Sequence, residues 1–147
     1  MPDGGDRRQR VCDVPLAHLR ALWPKIEHFV ADALATDECG RYWPADVFQL
    51  LLAARGRLWV SWDYEAEEFE AAAITEIIQS PRTRECRVWL LAGRDWDRWR
   101  IELRDMIEAY ARSEGCQYVT GSGSRGWIRA IGYKENGVNL MHPLYNG

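Results

Sequence analysis

From Cys86 to Tyr133 the chain reads as an apolar strand (Cys-Arg-Val-Trp-Leu-Leu), a Gly93-Arg94-Asp95 turn and a long amphipathic helix, then a second short strand (Gln-Tyr-Val-Thr) and a Gly/Ser-rich helix start. A strand repeats its faces every second residue and a helix about every 3.6, so neither pattern can stand in for the other. A chain containing this unit is committed to a mixed α/β domain. Its surest element is the helix: Trp96, Trp99, Leu103, Met106, Ile107 and Tyr110 recur on one face, Asp95 is the expected N-cap, and Gly115 ends the run.

The segments before and after extend the same reading. Residues 1–10 are polar and basic at their end and form a flexible N-terminal arm; residues 11–147 form one domain. Residues 11–14 make a short edge strand. Leu16, Leu19, Leu22 and Trp23 follow at helical spacing, and Pro24 breaks or kinks that run, giving a second helical piece over 24–35. Pro44 opens another helix with Val47, Phe48, Leu51 and Ala54 on its apolar stripe and Gly56 as its stop. Residues 57–62 and 69–79 pair as strands around an acidic turn. The strand over 84–91 alternates and then becomes continuously apolar, as for a strand entering the middle of a sheet. Residues 125–131 form a two-turn helix, and 138–144 a last strand kept near an edge by Pro143. A chain of 147 residues buries about 70% of its unfolded surface, enough for a core without staples.

Composition excludes more than it suggests. A formal net charge of -3 gives no global attraction to nucleic acid or an anionic membrane. No apolar run approaches the ~18 residues of a membrane helix. Cys12, Cys39, Cys86 and Cys116 contain no CxxC pair, and the N-terminus lacks a signal-peptide core, so a reducing cytosolic site of synthesis is expected. His18, His28 and His142 with Cys39 lack metal-ligand spacing, and no metal is expected. The 8 Trp place several indole rings at a boundary or interface, where the ring is covered and its N–H finds a partner.

The order strand, two helices, three-stranded meander, helix, strand, helix, strand resembles the GNAT acyltransferase superfamily. The local phrases Trp43-Pro44-Ala45-Asp46-Val47, Leu58-Trp59-Val60, Ile74-Thr75-Glu76-Ile77, Ser80-Pro81-Arg82, Leu91-Ala92-Gly93-Arg94-Asp95, Glu114-Gly115-Cys116 and Arg125-Gly126-Trp127 leading to Gly132-Tyr133 resemble a bacteriophage-encoded branch related to a podophage internal virion protein. The resemblance implies a twisted, mostly antiparallel sheet with helices on both faces. It also implies an acetyl-CoA site at the turn after the fourth strand, where the family carries Gln/Arg-x-x-Gly-x-Gly/Ala and backbone N–H groups hold the pyrophosphate. Here Gly93 stands for the first glycine, but Leu90 and Asp95 occupy the other two places.

An Asp at the N-cap satisfies the donors a phosphate would use, so the expected site is degenerate and no cofactor is expected. The protein then has a binding, assembly or virion-associated role, with phage structural proteins or a host protein as partners, in the host cytoplasm or incorporated in the virion. The alternative is an active N-acetyltransferase for a small-molecule or protein amine. Its acetyl-CoA would be held by Gly93, Arg94, Asp95, Trp96 and Arg98, with Glu76 as base. Against these roles stand plainer ones: the arginines as a solvated helix face, and Glu76 paired with an arginine such as Arg87. The position of the family's tyrosine acid falls near Ile128, and no tyrosine is there. If the protein is a binder, Arg125, Trp127 and Arg129 form the partner-binding corner, with Trp127 as ordinary core the competing reading.

Overall fold

A computed structural model of the chain describes residues 8–123, 125–137 and 139–145, the side chains of 125–127 excepted. Five strands form one sheet: β1 (Val11–Asp13), β2 (Arg57–Asp63), β3 (Glu68–Gln79), β4 (Arg84–Gly93) and β5 (Tyr118–Gly121), in the order β1-β2-β3-β4-β5. The first four are antiparallel neighbours, and β5 lies parallel to β4 because a helix crosses over between them.

Period-two alternation sorts the side chains. Leu58, Val60, Ala72, Ile74 and Leu90 face α1 (Leu19–Leu34) and α2 (Pro44–Leu52). Trp59, Ala71, Ala73 and Cys86 face α3 (Arg100–Ser113) on the other side. The sheet therefore carries helices on both faces, as expected. In α3, Leu103 and Ile107 are buried, each contributing about 1.5–3 kcal/mol of apolar transfer.

Three expectations are corrected. α1 runs unbroken through Pro24, which sits on its exposed face in the second turn, where water can serve the carbonyl that loses its partner. The continuously apolar stretch of β4 marks a bulge: Ile74 pairs with Leu90 but Thr75 with Val88, leaving Trp89 as the extra residue. Residues 139–145 form no strand, and Val138 lies outside the described residues. The short helix α4 (Arg125–Ala130) matches its expected span within a residue.

Arg10, the last residue of the expected arm, is instead tied to the domain. Glu102 accepts its backbone N–H at 3.0 Å, and its guanidinium meets Glu70 at 3.1 Å.

Candidate functional site

β4 changes environment halfway along. Up to Val88 it is paired on both sides, with β3 and with β5 through Glu85–Tyr118, Cys86–Val119, Arg87–Thr120 and Val88–Gly121. Past Val88 the strand continues to Gly93 along β3, while β5 ends at Gly121 and the chain departs toward α4. Among the described residues no strand pairs with Trp89–Ala92 on the β5 side. Pairing therefore ends at a vertex formed by Val88 and Gly121, where a Cβ on Gly121 would lie 3.0 Å from the Val88 carbonyl oxygen, and the one-sided stretch of β4 beyond it is the candidate β4–β5 cleft. The Trp89 bulge sits next to that vertex. Tyr42, from the segment between α1 and α2, packs its ring edge-on to Trp89 at 4.9 Å.

At the far end of that edge, the turn from Gly93 to Trp99 is held through its backbone groups, to β3, to the Trp99 side chain and to itself. Arg94 donates its N–H to the Glu70 carbonyl at 2.9 Å, its carbonyl accepts the buried Trp99 indole N–H at 2.8 Å, and Arg98 N–H reaches the Asp95 carbonyl at 2.9 Å. Gly93 is required by packing, since a Cβ there would meet Ala71 Cβ at 2.5 Å and the Glu70 carbonyl oxygen at 2.7 Å.

Asp95 is not the helix cap that its position suggests. Its backbone is left-handed (φ 53°), its side chain makes no capping bond, and α3 begins only at Arg100 after a single 3₁₀ turn over Trp96–Arg98. The carboxylate turns instead to Arg94 at 3.0 Å and Arg98 at 3.8 Å. The reason is tertiary: docking Trp99 under the turn delays the helix by a turn.

Arg94 and Arg98 converge on Asp63, which is 2% exposed, at 3.0 and 3.4 Å; Arg94 also reaches Glu68 at 3.3 Å. The Ala66 N–H first, then Arg94 and the Glu65 N–H, hold the Asp63 carboxyl below the usual carboxylate range, with desolvation opposing them. Beneath them Glu70, fully buried, accepts Arg10 at 3.1 Å and the Ser61 hydroxyl at 2.8 Å through one oxygen. Its other oxygen has no hydrogen bond and stands 4.0 Å from Arg98 Nε. Trp96 is exposed, with Arg100 stacked over its ring at 5.0 Å.

The remaining candidates lie elsewhere. Glu76 faces Arg87 across the β3–β4 pair, and the two side chains form an ion pair, the plainer of the two readings of this residue. Arg129 is exposed on α4; the side chains of Arg125 and Trp127 lie outside the described residues. Tyr133 follows α4 and donates its hydroxyl to Glu108 at 2.8 Å; burial, then Glu108, pushes its pKa up. The Cys86 thiol, pushed up to about 11 chiefly by burial, stays protonated at neutral pH. A separate groove of about 580 Å³ opens on the α1 side beside Gly93 and Arg94, over Phe29, Trp62 and Phe69. Among the described residues no group of three or more His, Cys, Asp or Glu could hold a metal, and no helix is long and apolar enough to cross a membrane.

Sequence reasoning missed Trp89, Asp63 and Glu70. The break in alternation at Trp89-Leu90-Leu91 was the available signal for the bulge. The two acids read as parts of a solvated acidic hairpin, and nothing local marks them as buried.

No family model matches the chain, and no curated protein matches it. Solved structures do. A probable acetyltransferase superposes with a TM-score of 0.66 at 15% identity, covering 95% of this chain and 100% of that one. An aminoglycoside acetyltransferase from an uncultured soil metagenomic sample, in complex with sisomicin, gives 0.67 at 10% identity, with 92% and 96% covered. A predicted acetyltransferase from Clostridium acetobutylicum, solved with acetyl-CoA, gives 0.63 at 12% identity, with 91% and 95% covered. The fold is that of the GNAT acetyltransferases. At these identities the likeness establishes the GNAT architecture, and the chemistry must be argued from the residues of this chain.

Proposed function

We propose that this protein binds an acyl-CoA thioester in the β4–β5 cleft and transfers the acyl group to an amine. The observation that carries the reading is the one-sided edge of β4 beyond Val88, opened by the Trp89 bulge and the divergence of β5 after Gly121. Such an edge offers N–H and C=O groups to an extended, amide-bearing chain, and the pantetheine arm of CoA is one. The α3 N-terminus has no side-chain cap, which removes the main reason for expecting a degenerate phosphate site. Arg94 and Arg98 stand at the same end of the cleft to meet phosphates. The neighbours solved with acetyl-CoA and with an aminoglycoside support this cofactor class and an amine acceptor.

Bound acyl-CoA supplies the activated acyl thioester. The chain's part is to align that arm along β4 and keep its carbonyl at the bulge. Glu76 serves as base only by parting from Arg87, and Tyr133 has its proton committed to Glu108.

A second reading, a phage GNAT-fold protein acting in assembly or in the virion, draws on the arginines: Asp63, Glu68 and Asp95 already occupy the charges a pyrophosphate needs. Thermal unfolding with acetyl-CoA separates the two. At a ligand concentration 100 times Kd, binding stabilises by about 2.7 kcal/mol and raises Tm by roughly 5–10 °C. A rise of that size is expected. A shift under about 2 °C overturns the acyl-CoA reading and leaves the binding role.

A further inference from the structure

The groove on the α1 side of the sheet shares only Gly93 and Arg94 with the proposed acyl-CoA site, and the acyl transfer makes no use of the rest of it. Its floor is aromatic. β3 bulges at Glu70: Ser61 pairs with Ala71 but Trp62 with Phe69, which leaves Glu70 as the extra residue. Bulges re-aim side chains. This one sends the Glu70 carboxylate to Arg10 and sets Phe69 against Trp62 in a T-shaped contact, ring centroids 4.9 Å apart, with Phe69 on the α1 face. Phe29 of α1, 6% exposed, completes the floor. A volume of about 580 Å³ suits a small molecule.

The walls are charged. α1 supplies Lys25, His28 and Asp32 from one face of the helix, and the β2–β3 turn supplies Glu67 and Glu68. Leaving His28 aside, three carboxylates line the groove against two cations, Lys25 and Arg94. Arg94 is already divided among Glu68, Asp63 and Asp95. Among the described residues neither Asp32 nor Glu67 has an ion-pair partner.

Carboxylates without partners around an aromatic floor favour a cation, and the rings select its kind. A metal ion or a bare ammonium holds its water tightly, whereas an N-alkylated ammonium sheds it at little cost and rests its positive surface on π faces. We infer that the groove binds an alkylated organic ammonium ion, with its head over Trp62, Phe69 and Phe29 and its charge balanced by Asp32 and Glu67. Lys25 stands about 10 Å along α1 from Asp32, so the acidic end of the wall takes the head and the basic end is left for an oxygen function of the ligand.

The test is calorimetric titration of the full chain with choline and, in parallel, with its neutral carbon isostere, in which a tert-butyl group replaces the trimethylammonium. Choline is expected to bind, and the isostere to bind at least about tenfold more weakly. Asp32→Asn/Glu67→Gln changes two exposed side chains without partners among the described residues, so the variant is expected to keep its fold, checked by circular dichroism, and to lose most of the choline affinity. Lys25→Gln, which removes the opposing charge, is expected to tighten binding. Failure of choline to bind the wild type overturns the inference. So does an isostere that binds equally well, since the groove would then read shape and not charge. Affinity unchanged in the double variant overturns it too, because the cation must then sit elsewhere, the neighbourhood of Glu76 included. Choline binding weakened by Lys25→Gln would reverse the expected polarity of the wall and overturn it as well. None of these outcomes depends on acyl-CoA binding.

Discussion

Two carboxylate–arginine pairings brace β3, at opposite ends of the strand. Glu76 and Arg87 meet with side chains 26% and 43% exposed, whereas Glu70 meets Arg10 with side chains 0% and 12% exposed. The chemistry is the same and the surroundings are not. A half-exposed pair gains little over its hydration, while a buried carboxylate that loses its partner has no water to turn to. The Glu70 end is therefore structural: with Asp63 it anchors the arginines that frame the turn at the mouth of the cleft. The Glu76 end is energetically cheap, and so the one that the proposed acyl transfer would recruit.

The sharpest way to break this contrast is Glu70→Ala, which strands Arg10 and the Ser61 hydroxyl. It is expected to cost about 3–5 kcal/mol in chemical denaturation. A loss below about 1 kcal/mol would put the Glu70 cluster in the same class as the exposed pair.

Gly93→Ala comes next, because the new methyl meets the β3 backbone as well as Ala71. Overpacking of this kind costs about 1–3 kcal/mol, and a second change, Ala71→Gly, should recover part of it. An unchanged melting temperature would remove the packing argument for this glycine.

The acid limb of stability provides a third test. The Asp63 pKa is depressed in the fold, so its contribution is complete above the unfolded value of 3.8 and is lost as pH falls through the lower folded value. Melting temperature followed downward from that pH should fall less steeply in Asp63→Asn than in the wild type. Parallel curves would show that the N–H donors and guanidiniums around Asp63 do not favour its charge.

The smallest expected change is Glu76→Gln, within about 1 kcal/mol of wild type. Its value is in activity: if turnover with acetyl-CoA and an amine falls while stability holds, Glu76 is the base. If both hold, the pair is surface decoration.

Much of this architecture could be read before any coordinates. The β2–β3 hairpin, β4, α3 and β5 fall close to where periodicity and turn residues place them. Glu76 was legible as a candidate together with its rival, the pairing with Arg87. The Asp95 cap was not, because a cap depends on where the helix begins, and Trp99 docking under the turn decides that. Pro24 likewise reads as a break until its exposed place on α1 is known.

The sequence by itself determined the elements and the faces they bury, because side-chain period is a local property that a few adjacent residues declare. Only the tertiary structure decided which strand partner skips Trp89, which acids are sealed beneath Arg94 and Arg98, and where β5 leaves β4 to open a cleft. Those outcomes turn on register between segments far apart in the chain. A one-residue offset there changes what is paired, buried or left open, with no trace in local composition.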